Sequence, residues 1–259
     1  MIPLLSPPPP ANVVWFDELD STASFAERLM EFWPTADAEP LPETLVLAGR
    51  QTGGRGRGGN RWASPAGGLY ANWLGPMPVA ALALLPIAAG VVLAEAVERL
   101  VPGVAVGLKW PNDLEVGGRK LGGVLCRSRG GGDSVWATVG FGINVAISPE
   151  LDAGDPVRPV SLAALGFSGD AWDAIRVIAS RFLTRIREAL TRSETTHAEW
   201  EARSVHRRGD AVRLRLETGV VEGRFAGLGR DGRLELAVAG EVRRFAVGEI
   251  VPDGVPGGV

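Results

Sequence analysis

Apolar and polar positions alternate along this chain in several short runs and recur at helical spacing in a few longer ones. Val13 to Asp17 has the alternation of a strand. Ser21-Thr22 then offers caps for a helix running to Trp33, with Ser24-Phe-Ala-Glu27 fitting a capping box and Pro34 stopping it. Strand-like runs recur at Thr44 to Ala48, Leu69 to Leu74, Val104 to Trp110, Arg119 to Arg127 and Val135 to Ala146, and Gly117-Gly118 signals a hairpin. Helical spacing returns at Trp172, Ile175, Ile178, Phe182, Ile186 and Leu190, and a second helical stretch surrounds Trp200. Ser148 to Pro159, rich in proline and glycine, reads as a loop. Hairpins interspersed with helices predict an α+β fold, a mixed or antiparallel sheet with packed helices, rather than a regular βαβ repeat.

The texture changes after Val205. Short alternating segments such as Val212-Arg-Leu-Arg-Leu216 and Leu234-Glu-Leu236 are separated by turn residues, including Gly-Arg-Asp-Gly at 229 to 232. The spacing predicts a small, barrel-like all-β module, dividing the chain into 1–204 and 205–259.

Composition narrows the class. With 259 residues and 46% hydrophobic content, the chain can bury a large core. A net charge of −3 with mixed signs does not suit a nucleic-acid coat or a polybasic membrane anchor, so any basic site must be local. One cysteine, Cys126, excludes an internal disulfide, and His197 and His206 alone make no metal cluster, so the expected compartment is the cytoplasm. The amino terminus, with prolines at 7 to 10, is not a signal peptide. Positions 62 to 94 carry no charge, but Pro65, Pro76, Pro78 and Pro86 interrupt them, and Val79 to Ala94 falls short of the ~20 residues a span needs. A buried helix is the better reading.

The densest chemical signal lies at 49 to 62, Gly-Arg-Gln-Thr-Gly-Gly-Arg-Gly-Arg-Gly-Gly-Asn-Arg-Trp. Four arginines and six glycines there favour a loop whose amides and guanidinium groups close over a polyphosphate. Gly54, Gly56 and Gly59 satisfy G-x-G-x-x-G, but no helix follows, and no Gly-Lys-Ser/Thr follows either, so neither a dinucleotide fold nor a P-loop is expected. A solvated surface loop or an RNA-binding arginine-glycine segment would be plainer readings. The second signal is Leu108-Lys-Trp-Pro-Asn-Asp-Leu114. Pro111 breaks the strand beside Asn112 and Asp113, where metal or phosphate ligands commonly sit. Beyond the hairpin, Lys120 is followed by Leu-Gly-Gly123, small enough for a flat ligand to approach the backbone. A lysine on a strand is ordinarily a solvated charge; this setting favours an active-site cation.

These segments, with Gly140-Phe-Gly-Ile-Asn-Val145, resemble the biotin protein ligases, monofunctional type: Gly54-Arg-Gly-Arg57 with Trp62, Lys109 to Asp113, and Lys120-Leu-Gly-Gly123. Ser64 to Tyr70 and Gly248-Glu-Ile250 are also similar to that family, and the resemblance runs from about Phe16 to Val251. It implies a catalytic fold shared with lipoate ligases, and a reaction in which ATP activates biotin as biotinyl-5'-AMP for transfer to a lysine of a biotin carboxyl carrier protein domain. Carried over by position, Lys120, Arg55 and Arg57 would be catalytic. Ser21, Thr22, Gln51, Gly54, Arg55, Lys120, Gly123, Leu125 and Gly140 would bind biotin. Arg55, Arg57, Trp62, Asn112, Asp113, Lys120 and Asn144 would bind ATP or the adenylate, with Asp113 facing Mg2+. The resemblance brings no nucleic-acid or membrane partner and leaves the oligomeric state open.

Two positions depart from the family pattern: Ala23 stands where an asparagine is usual, and Asn60 where an arginine is usual. Each assigned residue also has a plainer reading: Ser21 and Thr22 as helix caps, Trp62, Trp73 and Trp110 as core aromatics, Asn144 as a strand-end cap, Cys126 as apolar filler. Two rivals remain. A lipoate or octanoate ligase or transferase of the same superfamily would replace this reading if Cys126 were an essential nucleophile. A non-catalytic biotin- or nucleotide-binding module, including a repressor, is disfavoured by Lys120, by the complete arginine loop, and by a catalytic region expected to start within about fifteen residues of Met1.

Overall fold

The computed structural model describes residues 12–32, 43–130, 134–150 and 157–251. Strand β1 (Asn12–Leu19), helix α1 (Thr22–Phe32) and strand β2 (Thr44–Gln51) open the chain, and β1 runs parallel to β2 with Asn12 opposite Thr44. Thr44-Leu-Val-Leu-Ala48 is buried on both faces, which explains its nearly continuous apolar run. β3 (Leu69–Pro78), β4 (Gly107–Lys109), β5 (Asp113–Val116), β6 (Arg119–Arg129) and β7 (Ser134–Ile143) complete a seven-stranded mixed sheet in the order β1-β2-β3-β7-β6-β5-β4. Only the β1–β2 pair is parallel.

Pleating divides that sheet into two unlike faces. Leu45, Leu47, Ala71, Trp73, Val139 and Phe141 point to one side and join the main core with α2 (Leu85–Leu100) and α3 (Ala171–Thr191). Phe141 stacks on Phe182 of α3 at 4.8 Å between ring centroids. On α3, Ile175, Ile178, Phe182 and Ile186 form one buried stripe, and Asp170 and Asp173 close a capping box at its start. Burying a ring such as Phe182 contributes about 1.5–3 kcal/mol. α2 is buried almost all round through Ala94, as the uncharged stretch up to that residue predicts, and its charges, Glu95, Glu98 and Arg99, fall in its last turns; it begins at Leu85 because Pro86 is tolerated only in a first turn and residues 79–81 form a separate 3-10 turn.

The other face packs against α1 and is lined by glycines. Gly142 pairs with Gly123, and Gly140 with Leu125, so a furrow poor in side chains, with Leu125 on its β6 side, crosses β7 and β6. α1 starts at Thr22, with Ser21 Oγ accepting from Ser24 N at 3.4 Å and Ser21 O from Phe25 N at 2.9 Å. The capping box expected at Ser24 and Glu27 is therefore replaced by a single cap from Ser21, one turn earlier, and Ser24 is buried within the helix. Trp33 and Pro34 lie outside the described residues, as do 151–156 of the expected loop at 148 to 159.

Between Val104 and Trp110 only Gly107–Lys109 pairs as a strand, and Asp113 opens β5 instead of lying past a strand end. Helix α4 (Ser193–Arg203) leads to β8 (Ala211–Leu216), β9 (Gly219–Leu228), β10 (Leu234–Val238), β11 (Glu241–Phe245) and β12 (Glu249–Val251). These form an antiparallel sheet, β11-β10-β9-β8-β12, that stays open among the described residues rather than closing into a barrel. β12 pairs with β8, Ile250 opposite Leu214. The core continues across: Leu214, Leu228, Leu234 and Leu236 belong to the same cluster as Ile87 and Trp200, and the Trp110 indole N–H donates to Gly232 O at 3.1 Å.

Candidate active site

The β5–β6 hairpin brings the expected cation into place. Gly117 and Gly118 both have left-handed φ, 58° and 72°, which a two-residue turn of this kind requires. Across it, Lys120 Nζ lies 2.8 Å from Asp113 Oδ1, and both side chains are about one-fifth exposed. Such a pair is better insulated from solvent than a surface ion pair, so its field is less screened. Lys120 also lies 5.5 Å from the centre of the Trp62 ring.

Trp62 links the hairpin to the arginine loop. Its indole lies on the glycine furrow: a Cβ on Gly142 would fall 2.5 Å from Trp62 Nε1, and one on Gly123 3.5 Å from the ring. At the root of the loop, Gly54 passes so close to the returning chain that a Cβ would meet Trp62 O at 2.4 Å and Ser64 Oγ at 2.5 Å. Glycine at 54 is required by this backbone approach. Gly58 and Gly59 adopt left-handed φ of 61° and 80° at the loop tip.

A cavity of about 380 Å³ opens between this loop and β6, lined by Arg55, Gly56, Arg57, Asn60, Leu125 and Arg127 among others. Arg55 Nη1 is 3.3 Å from Glu27 Oε2, and Arg127 Nη1 is 2.7 Å from Glu27 Oε1, so one carboxylate on α1 holds two guanidinium groups at the cavity mouth. Arg57 Nη1 donates to Gly248 O at 3.1 Å, joining the loop to the second sheet at the segment Gly248-Glu-Ile250. Burial pushes the Arg57 pKa down, partly offset by the carboxylates of Asp113 and Glu249.

Several amides picked out by sequence serve as braces. Gln51 Oε1 accepts from Thr22 N at 2.7 Å and Thr22 Oγ1 at 3.1 Å, while Gln51 Nε2 donates to Ser64 Oγ at 2.8 Å. Asn112 Nδ2 donates to Val124 O at 2.8 Å, and Asn144 Nδ2 to Val160 O at 3.0 Å and Lys120 O at 3.3 Å. Asn144 thus fixes the backbone of the residue bearing the ammonium. Trp73 and Trp110 are core aromatics, whereas Trp62 is not part of that core.

The structure thus gathers Lys120, Asp113, Asn144, Trp62 and Gly123 at one end of the furrow, Arg55, Arg57 and Leu125 around the cavity, and Ser21, Thr22 and Gln51 at the loop root. Gly140 lies on the furrow between Leu125 and β3. Arg55 and Lys120 do not touch; Trp62 connects the loop to the lysine. Glu27, read from sequence as a cap partner, and Arg127, read only as the end of a strand, were missed, because their roles depend on α1 packing over β3 and β7 with Glu27 reaching toward β6.

A cationic, glycine-hinged loop facing a lysine–aspartate pair across a furrow defines a ligase-type site suited to a carboxylate and a phosphate. The chain belongs to the biotin/lipoate A/B protein ligase family, whose model matches residues 16–144. It is 32% identical over 230 residues to a biotin–acetyl-CoA-carboxylase ligase of Mycobacterium tuberculosis, covering 83% of this chain and 81% of that protein. A ligase of the same name from Paracoccus denitrificans is 32% identical over 205 residues, covering 74% and 82%. Among solved structures, a biotin protein ligase from Aquifex aeolicus in complex with biotin and ATP superposes with a TM-score of 0.71 at 30% identity, covering 93% of this chain and 97% of that one.

Proposed function

We propose that this chain is an ATP-dependent biotin–protein ligase that forms biotinyl-5'-AMP and passes the biotinyl group to a lysine of a biotin carboxyl carrier protein domain. The observation that carries this reading is the Lys120 ammonium, fixed 2.8 Å from Asp113 at the edge of a glycine furrow and roofed by Trp62 of the arginine loop. Its relatives named as biotin ligases supply the substrate.

A carboxylate is a poor acyl donor. In the first step a biotin carboxylate oxygen bonds to the α-phosphorus of ATP, the bond from that phosphorus to the bridging oxygen breaks, and pyrophosphate leaves. Negative charge grows on the phosphoryl oxygens, where Lys120, Arg55 and Arg57 provide preorganised positive charge. The arginine loop and Trp62 exclude water from the mixed anhydride. In the second step a neutral lysine amine of the carrier attacks the acyl carbon, AMP leaves with the bonding pair, and the amine gives up a proton. No nucleophile of this chain is needed. Burial pushes the Cys126 thiol up to about 12, which leaves it protonated at neutral pH and unsuited to a transferase mechanism.

Mg2+ would enter with the triphosphate, and Asp113, whose carboxylate pairs with Lys120, is the residue that would hold it. It would supply charge neutralisation on the triphosphate. Ser21, Thr22, Gln51, Gly54, Gly123, Leu125 and Gly140 shape the biotin pocket in this reading, and Asn112 and Asn144 hold the nucleotide side. Residues 205–259 act as a small module that steadies the loop through Gly248, and the enzyme works in the cytoplasm.

The test is incubation with ATP, Mg2+ and either biotin or lipoate, with mass spectrometry of the acyl-adenylate. Biotinyl-adenylate is expected, together with its loss in Lys120→Ala. Adenylation of lipoate alone would overturn the substrate assignment.

A further inference from the structure

Among the described residues, the neutral side chains that bury polar atoms without a hydrogen-bond partner are Trp62 and Asn72. Both lie on the furrow face of the large sheet. Asn72 is fully buried on β3, and neither Nδ2 nor Oδ1 has a partner. Its neighbours Ala71 and Trp73 point into the main core, so Asn72 points the other way. In register it lies opposite Gly140 on β7, which in turn lies opposite Leu125 on β6, a lining residue of the cavity under the arginine loop. A Cβ on Gly140 would come within 3.0 Å of Asn72 Nδ2, so the carboxamide leans across the furrow toward that lining.

A buried carboxamide with both ends unpaired is costly, and native folds retain such groups where something else uses them. The contrast with Gln51 is direct. The Gln51 carboxamide accepts two bonds from Thr22 and donates one to Ser64, so it is engaged in bracing the loop root. The Asn72 carboxamide has a donor and an acceptor uncommitted, side by side, on the same face.

We propose that Asn72 is a specificity-determining residue of the acyl-substrate pocket. Its carboxamide pairs with a cyclic urea, Nδ2 donating to the ring carbonyl and Oδ1 accepting from a ring N–H. This deepens the biotin reading above and rests on it, since the ureido ring of biotin presents that donor–acceptor pair and the head of lipoate or octanoate does not. A site built to hydrogen-bond its substrate also rejects analogues that leave its polar groups unpaired.

The test is calorimetric binding of biotin and of 2-iminobiotin, in which an imino nitrogen replaces the ring carbonyl oxygen, to the full-length wild type, Asn72→Leu and Asn72→Asp. Asn72→Leu is expected to weaken biotin at least tenfold while leaving ATP affinity within twofold. Asn72→Asp, which exchanges the donor for an acceptor, is expected to narrow the wild-type preference for biotin over 2-iminobiotin at least tenfold. That ratio is taken within one protein, so a general loss of stability does not move it, and it stands on its own if the leucine variant does not fold. A wild type that binds biotin, with an unchanged ratio in the aspartate variant or unchanged affinity in the leucine variant, overturns this assignment alone. A wild type that binds no biotin overturns the ligase reading and this assignment with it.

Discussion

The arginine loop and the β5–β6 hairpin carry charges of the same sign toward the same furrow, yet they hold them in opposite ways. Lys120 is fixed by ladder pairing on both sides of its strand, by the Asp113 carboxylate, and by Asn144 gripping its carbonyl. The two loop arginines are held by single contacts: the half-exposed Arg55 by Glu27, the more buried Arg57 by one carbonyl of the segment before β12. The hairpin is preorganised and pays little reorganisation on reaction, whereas the loop can exchange its contacts for a ligand's oxygens. Under the function proposed above, the division of labour is a fixed ammonium at the reacting phosphorus and an adaptable guanidinium cover.

If the hairpin is the preorganised half, Lys120→Ala should give the largest effect, a loss of about 10²–10³-fold in the rate of adenylate formation, with biotin affinity changed far less. Single-turnover adenylate measurements check this; an equal loss in affinity and rate would remove the distinction between the two halves. Gly54→Ala comes next. Its Cβ meets Trp62 O and Ser64 Oγ at contacts too short to persist, so the loop root must shift, and adenylate formation is expected to fall on the order of 10–100-fold.

Glu27→Gln sharpens the contrast from the loop side. Removing the shared carboxylate frees Arg55 and Arg127, and because these pairs are partly exposed the change in folding stability should stay under about 1 kcal/mol. ATP affinity should rise a few-fold at low salt, and the gain should shrink as salt increases. Cys126→Ser is expected to keep adenylate formation within about twofold, in line with a thiol that burial keeps protonated.

The smallest effect concerns His206. Burial pushes its pKa below the usual 6.5, and nearby Lys109 adds to that shift. The folded state therefore prefers the neutral ring. The unfolded chain binds the proton first as pH falls below about 6.5, so this residue's stabilisation is present above that pH and is lost on acidification. Thermal unfolding at pH 7.5 and 5.5 should show a drop that a His206→Phe variant reduces.

Much of this was legible in the sequence because the chemistry is packed into short segments. Gly117-Gly118 predicts the hairpin that faces Lys120 with Asp113, and the clustered glycines of 53 to 59 predict a loop that no regular element could contain. The six residues from Trp172 to Leu190 trace the buried stripe of α3 because a helix repeats locally. What stayed hidden depends on long-range placement. Nothing local announces that Glu27 of α1 reaches both Arg55 and Arg127, or that Arg57 reaches Gly248, 191 positions away. Gln51, Asn112 and Asn144 read as ligand contacts by position; that their amides also brace backbone and side chains around the site is visible only in three dimensions. Sheet closure was illegible for a similar reason: alternation predicts strands, but not which of them pair, and among the described residues β12 pairs with β8.

Hydrogen–deuterium exchange of residues 49–62 and 113–123, with and without biotin plus ATP, tests the division of labour most directly. Strong new protection across the arginine loop is expected once the adenylate forms, with little change in a hairpin that is already slow to exchange. Equal protection of both segments, or a hairpin that orders while the loop stays as it was, would contradict the account.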